Sequence, residues 1–381
     1  MPKLTHLTIF NSKAGSYTRR EAQEIKQILN QHPEKLDGII FNSPDLSKLE
    51  QFLMEHKDYH PEILGVGGGD GTISRTLTAV KEVWGYLPEY LAFYALGTVN
   101  NASANFGLAD ITDKLWRKLH RKTSPLGLAD YIHDCIYSSQ EINTEEVPLL
   151  DVNGQKGLNL GFGAVPKLIW TYYGQTMKRY YQLEEELDRA SPNNYPWLIE
   201  KVWKEKAEDP SFIEVFPFGN GDLFKKSGAA SGVYTGVVSA LAAVFPFLER
   251  GKFYAETFPG KIYLDGKEFL NSKKVNAIYV SAYEKFNLGF RQLSFAATPE
   301  AKTRKGKVQV VLSTASLFNI VNQIPTLMEG EHLKGCHYQH AQEMRLEADE
   351  PIICQLDAEI MAFDKEVTVK YDQLLRVIVP R

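Results

Sequence analysis

Cysteine is scarce: Cys135, Cys336 and Cys354 are the only three in 381 residues, too few and too scattered for a disulfide framework. A reducing compartment is the expected setting, and a cytoplasmic location follows from it. No charge of one sign dominates either. Lys and Arg number 43 against 47 Asp and Glu, a net −4, whereas a dedicated non-specific binder of nucleic acid would be basic. No nucleic-acid partner is therefore expected. Long hydrophobic runs are nearly missing. The opening Leu4–Phe10 is seven residues long, carries His6 and lacks a small-residue cleavage site, so it reads as a first strand rather than a targeting segment. The uncharged stretch Ala229–Leu248 holds Ser231, Thr235, Ser239, two glycines and Pro246, and reads as a buried helix rather than a membrane span. Internal repeats and low-complexity tracts are absent too. What remains is an ordinary globular composition, 44% hydrophobic and 24% charged, in a chain long enough for two domains.

Strand and helix signals alternate through the first 110 residues. Strand-like Leu4–Phe10, Gly38–Asn42, Ile63–Val66 and Leu91–Ala95 are separated by helical Arg19–Gln31, Leu46–His56 and Ile73–Val83. This pattern predicts an α/β doubly wound N-terminal domain over residues 1–125, whose ligands sit where strand ends run into helix N-termini. Beyond it, short β-rich runs such as Val275–Ser281, Val308–Leu312 and Ile352–Leu356 predict a β-sandwich-like C-terminal domain over residues 126–381. A Tyr-, Trp-, Lys- and Glu-rich segment near 171–226 reads as a helical insertion, and a return of the last residues to the first domain stays open.

The densest chemical signal is Gly65-Val66-Gly67-Gly68-Gly69-Asp70-Gly71-Thr72, after a strand and before a helix. Glycines here let backbone N–H groups approach a phosphate, and the helix N-terminus adds positive potential. The run fits neither the Gly-x-Gly-x-x-Gly fingerprint nor a P-loop. A tight structural turn is the plain alternative. Asp70 distinguishes the two, because a carboxylate among phosphates calls for a metal or a hydroxyl between them.

Gly-Gly-Asp-Gly-Thr resembles the signature shared by diacylglycerol, sphingosine, ceramide and NAD kinases and by phosphofructokinases. Asn11-Ser12-Lys13-Ala14-Gly15, Leu96-Gly97-Thr98-Val99-Asn100-Asn101, Asn159-Leu160-Gly161-Phe162-Gly163 and Leu356-Asp357-Ala358-Glu359 narrow the resemblance to the diacylglycerol-kinase catalytic-domain family of bacterial lipid kinases. Ser12 stands in place of a proline, Asn101 where many members have Asp, Ala358 in place of a glycine, and Arg304-Lys305 where relatives carry a pair of aspartates. The resemblance implies an NAD kinase/diacylglycerol kinase-like first domain and transfer of the ATP γ-phosphoryl group to a lipid hydroxyl, with ATP and Mg²⁺ as cofactors. It implies nucleotide contacts from Asn11, Gly15, Gly67, Gly68, Gly69, Gly71, Thr72, Thr98 and Asn100. Asp70 would organise magnesium-ATP, Glu359 would serve as general base, and Asp357 would support it and join the metal set. The implied partner is a lipid substrate at a membrane surface, reached by peripheral contact. The insertion could shape the lipid groove, mediate a homodimer or bind another partner. Three rivals stand beside this reading: a catalytically inactive lipid- or nucleotide-binding relative, an NAD kinase-type nucleotide kinase, and a metal-dependent hydrolase built on the His332–His340 cluster. His332, Cys336, His337 and His340 lie close enough in sequence to raise zinc, without a paired metal-ligand spacing.

Overall fold

The computed structural model describes residues 4–12, 14, 19–43, 45–97, 101–106, 124–167, 256–269, 272–282, 285–287, 292–294, 306–323, 326, 331–357 and 359–380. Gly15, Thr98, Asn100, Ala358, the 171–226 insertion, Ala229–Leu248 and Arg304-Lys305 lie outside the described residues. Internal contacts divide the chain into two compact units, Met1–Leu149 with Gly154–Leu158 and Asp372–Arg381, and Leu150–Asn153 with Asn159–Tyr371.

The first unit is built on a parallel sheet. Strands β1 (Leu4–Asn11), β2 (Leu36–Ser43), β3 (Ile63–Gly68) and β4 (Tyr90–Ala95) align in the order β2-β1-β3-β4, in register from His6 opposite Ile63 to Phe10 opposite Gly67. Their connections carry α1 (Arg19–Leu29), α2 (Leu49–Glu55) and α3 (Asp70–Trp84), and α4 (Asn101–Asn105) and α5 (Pro125–Ser138) follow β4. β3 is buried along its whole length, as a central parallel strand must be when both faces are covered. Helix α5 starts at a Ser124 cap whose hydroxyl accepts from Gly127 N–H at 3.1 Å, with Pro125 in the first turn. It packs on α1 and β4, so the first unit runs past the composition change near residue 125.

Within this sheet His6 is 1% exposed, its Nδ1 3.3 Å from Thr8 Oγ1, and burial depresses its pKa to about 4 against a weaker opposing pull from Asn30 and Asp37. The neutral ring is what folds. Above the ordinary value of 6.5 neither state is protonated and the contribution is whole. As pH falls toward 4 the unfolded chain takes a proton that the native chain refuses, and about 3 kcal/mol of stability is lost. Urea midpoints measured at pH 7 and pH 4.5 should fall less in His6→Gln than in the wild type; equal falls would remove His6 as the cause.

The second unit is antiparallel, with two larger sheets and a separate two-stranded one among the described residues. Strands β5 (Thr144–Val152), which passes from the first unit into the second after Leu149, and β6 (Gln155–Gly157), which lies in the first unit, form a hairpin turned by Asn153 and Gly154, both at positive φ (49° and 94°). Strands β7 (Asn159–Gly163), β8 (Gly260–Leu264), β9 (Lys267–Glu268), β10 (Ala277–Ser281), β11 (Lys285–Asn287), β12 (Gln292–Ser294) and β13 (Val308–Ser313) follow in chain order. Helix α6 (Leu317–Asn322) precedes β14 (Cys336–Ala341), β15 (Glu343–Ala348), β16 (Ile352–Leu356), β17 (Glu359–Phe363) and β18 (Glu366–Ile378). One sheet runs β14-β13-β10-β7-β16-β17; the other pairs β18 with β15, β15 with β8 and β8 with β9. Both sheets bury one apolar cluster: Leu160, Phe162, Ile278, Val280, Val310, Leu312, Cys354 and Leu356 from the first, and Ile262, Met344, Leu346, Val367 and Val369 from the second. Side chains of this size gain about 1.5–3 kcal/mol each on full burial, which sets strand register.

Strand β18 belongs to both units. Glu366 to Lys370 pair antiparallel with β15, whereas Arg376 and Val377 pair parallel with Tyr90 and Leu91 of β4.

Candidate active site

In the first unit the glycine-rich run changes character residue by residue. Gly65 and Gly67 lie inside β3, where an added Cβ at Gly67 would collide with the Phe10 ring and one at Gly65 would sit 2.9 Å from Tyr94 Cε2. Their packing against β1 and β4 requires glycine whatever binds nearby. At Gly68 a Cβ would come within 2.5 Å of Thr72 Cβ and Oγ1, and at Gly69 within 3.2 Å of Gly97 Cα. Thus the 68–69 backbone passes unusually close to its neighbours at the carboxyl end of the sheet.

Gly69 is the N-cap of α3 and has no side chain to cap it. Thr72 and Ile73 N–H turn back to Gly69 O at 2.9 and 3.1 Å. Such a fifteen-residue helix opens with first-turn donors and a positive dipole end at the loop. Asp70, its first residue, is 4% exposed, and its Oδ1 accepts from Ala102 N–H at 2.9 Å. The Gly-Gly-Asp-Gly run is thereby tied to the start of the helix that follows the Leu96–Asn101 loop. Asn11, at the end of β1, donates from Nδ2 to Thr72 Oγ1 at 3.1 Å. Three of the sequence motifs therefore meet at one edge of this unit. The helix is held from behind by β6: Ser74 Oγ donates to Lys156 O at 2.5 Å, Lys156 N–H to Thr78 Oγ1 at 2.8 Å, and Lys156 Nζ lies 3.2 Å from Asp372. Lys156 was not legible as a candidate, because a lysine in a short hairpin ordinarily faces water.

An uncapped helix N-terminus suits phosphate, and a buried carboxylate oxygen beside it is the hard donor that magnesium prefers. The first-unit residues fit a magnesium-nucleotide.

In the second unit the other two motifs are joined. Asp357 opens the turn between β16 and β17 at φ +53°, a left-handed conformation that a short Asp tolerates. Its N–H donates to Asn159 O at 2.7 Å, and its Oδ1 accepts from Asn159 N–H at 2.9 Å. Asn159 Oδ1 in turn accepts from the Tyr279 hydroxyl at 2.8 Å and the Ser281 hydroxyl at 2.9 Å. Glu359 is the first residue of β17, opposite Leu356 and half-buried. Gln355, beside this group on β16, is fully buried and was not singled out in the sequence.

The histidine-cysteine run does not gather. Strand alternation along β14 places His337 and His340 on opposite faces, His332 stacks on Tyr338 with centroids 4.0 Å apart, and His337 meets the Phe269 ring edge-on. Among the described residues no three His, Cys, Asp or Glu are grouped to hold a metal ion. No helix among them is long and apolar enough to cross a membrane.

Residues 5–130 match the model of the diacylglycerol kinase catalytic domain family, the family the motifs resemble, and the match supports a lipid-kinase family. A comparison with curated proteins finds no match. Among solved structures, a candidate diacylglycerol kinase from Bacillus anthracis str. Sterne is 16% identical with TM-score 0.60, the alignment covering 100% of this chain and 97% of the other. A diacylglycerol kinase from the same organism is 14% identical at TM-score 0.54, with 99% and 97% covered. Another candidate diacylglycerol kinase from it is 16% identical at TM-score 0.61, with 100% and 98% covered. At these identities the likeness is one of fold: mixed α/β with a parallel sheet in the N-terminal region and a separate antiparallel sheet C-terminally.

Proposed function

We propose that this chain is an ATP-dependent lipid kinase that transfers the γ-phosphoryl group to a lipid hydroxyl. The observation carrying the reading is the uncapped start of α3 with Asp70 buried in its first turn and tied to Ala102 N–H. The match of residues 5–130 to the diacylglycerol kinase catalytic domain supports it. So does the likeness in fold, and the reading carries with it a doubly wound layout for the first unit and a β-sandwich-like one for the second.

Phosphoryl transfer asks for positioned phosphates, offset charge and a base for the acceptor proton. The Gly69–Thr72 backbone and the α3 dipole bind and orient the phosphates, and Asn11 fixes the Thr72 hydroxyl. Asp70 would hold Mg²⁺, which when bound offsets phosphate charge. Glu359 takes the proton from the acceptor oxygen. Asp357 holds the turn that presents Glu359, through its paired hydrogen bonds to Asn159. The acceptor is reached from a membrane surface by peripheral contact, in the cytoplasm.

Labelled γ-phosphate from ATP, offered with a lipid panel in mixed micelles, tests the reading directly. A labelled lipid formed only with magnesium is the expected result. ATP binding without any lipid product would leave a non-catalytic relative, and product from NAD would replace the lipid reading with a nucleotide kinase.

A further inference from the structure

Asp70, Ser74 and Thr78 follow one another at one-turn spacing along α3 and so share one face of the helix. Ser74 and Thr78 are both buried, and their hydroxyls grip a single residue of β6. Ser74 Oγ donates to Lys156 O, and Thr78 Oγ1 accepts from Lys156 N–H. Lys156 is itself held, since its Nζ lies 3.2 Å from Asp372 Oδ2, and β6 pairs with β5, which pairs with β18. Farther along the helix, Lys81 Nζ donates to Gln373 Oε1 at 2.8 Å. All the residues in these bonds belong to the first unit.

Neither hydroxyl is needed to make the helix. Serine and threonine are poorer helix formers than alanine, and inside a helix they commonly bond back to a carbonyl about one turn earlier. Here both reach out to the hairpin instead. Alanine and valine would serve packing as well, with no polar atom to bury. What the hydroxyls add is direction. The C=O and N–H of one residue, met by groups one turn apart, fit a single position of the helix along its own axis. A slip of one residue moves the helix by about 1.5 Å and breaks both bonds.

That position decides where the first turn of α3 lies. At the loop end Gly69 gives no side-chain cap, and the side-chain bonds there join Asn11 to Thr72 and Asp70 to Ala102 N–H. Both use groups that the kinase reading gives to phosphate or magnesium. Ser74 and Thr78 are enclosed and bonded to Lys156, so they hold the helix without touching the ligand. We infer that Ser74 and Thr78 are positioning residues for phosphoryl transfer: they fix the axial register of α3 against Lys156, and with it the Asp70 carboxylate and the first-turn N–H donors. The inference rests on the phosphate-binding part of the kinase reading and not on the identity of the acceptor.

The test uses the full chain, magnesium-ATP and dioctanoylglycerol in mixed micelles. It compares the wild type with Ser74→Ala, Thr78→Val, the double variant and Thr78→Ser. Misplacing reacting groups by ~1 Å costs about 10²-fold, so the double variant should lose about that much in kcat at saturating ATP. Its Kd for magnesium-ATP, read by calorimetry without lipid, should rise about tenfold, while KM for dioctanoylglycerol stays unchanged. Thr78→Ser keeps the acceptor oxygen and should recover most of what Thr78→Val loses, whereas a packing role would favour the valine. Unchanged kcat and Kd in the folded double variant overturn the inference while the kinase reading stands. A lowered melting temperature with kcat and Kd unchanged below it overturns it as well, because the hydroxyls would then only stabilise. If the wild type binds magnesium-ATP but phosphorylates neither dioctanoylglycerol nor any other lipid of the panel, the kinase reading falls and Kd alone decides. Tenfold weaker binding in the double variant then upholds the inference, and equal binding overturns it. A wild type that does not bind magnesium-ATP overturns both.

Discussion

Asp70→Asn should lower lipid phosphorylation about 10³-fold, equivalent to roughly 4 kcal/mol of transition-state stabilisation, with little change in melting temperature. The substitution preserves shape. An asparagine oxygen still accepts the Ala102 N–H that Asp70 Oδ1 accepts at 2.9 Å, so α4 keeps its tether. What disappears is a negative charge in the first turn of α3, beside first-turn N–H donors that favour anions. With phosphate bound there, only a cation between the two groups makes an aspartate better than its amide. Turnover measured at saturating magnesium and ATP, with melting temperature measured in parallel, separates the roles. A fall in activity matched by collapse of the fold would make Asp70 a structural anchor of α4. Full activity with the fold intact would remove it from the chemistry.

The second large effect is on stability. Gly163→Ala should cost about 3–5 kcal/mol, lowering the melting temperature by roughly 10 °C. Gly163 ends β7 at φ +68°, which already disfavours any other residue. The Cβ would also collide with the carbonyl oxygen of Asn276, and that oxygen accepts the N–H of Ala164 at 2.9 Å. Neither backbone can give way without opening the pairing of β7 with β10. Gly154→Ala is the matched control: φ is +94°, but nothing lies within 4 Å of the new Cβ. Its cost should stay near ~1 kcal/mol, the strain of left-handed backbone alone. Equal losses in thermal unfolding would show that conformation, not collision, governs both positions.

Much of the first unit was legible, because its strands are apolar and bounded by turn residues. Leu4–Phe10, Ile63–Val66 and Leu91–Ala95 were each placed within two residues of the ends observed. Helix α3 was read as starting at Ile73, three residues late. Glycine has poor helix propensity, so Asp70-Gly71-Thr72 reads as loop, and tertiary packing overrides that preference. The glycines of the 65–71 run were recognisable as a group, but their separate reasons were not. Gly67 is fixed by the Phe10 ring on a strand paired through non-local sequence, a contact that no local pattern announces. β18 does not read as one strand. Lys370, Asp372 and Gln373 interrupt the periodicity in a strand that changes partners midway. Asn159 was legible as a motif member, whereas Gln355 stood in an apolar run, and only burial and register expose its enclosed amide.

The shared strand also dictates a schedule. A ribosome releases the chain from its N-terminus, and the residues that finish the parallel sheet emerge roughly 220 positions after Leu149. At ~5–20 residues per second that interval is about 10–45 s. Throughout it β4 waits without the neighbour that Arg376 and Val377 supply, its edge offering unpaired backbone groups. The first unit is thus begun before the second and completed after it, and its parallel sheet gains its last neighbour only once the residues of the second unit have been made.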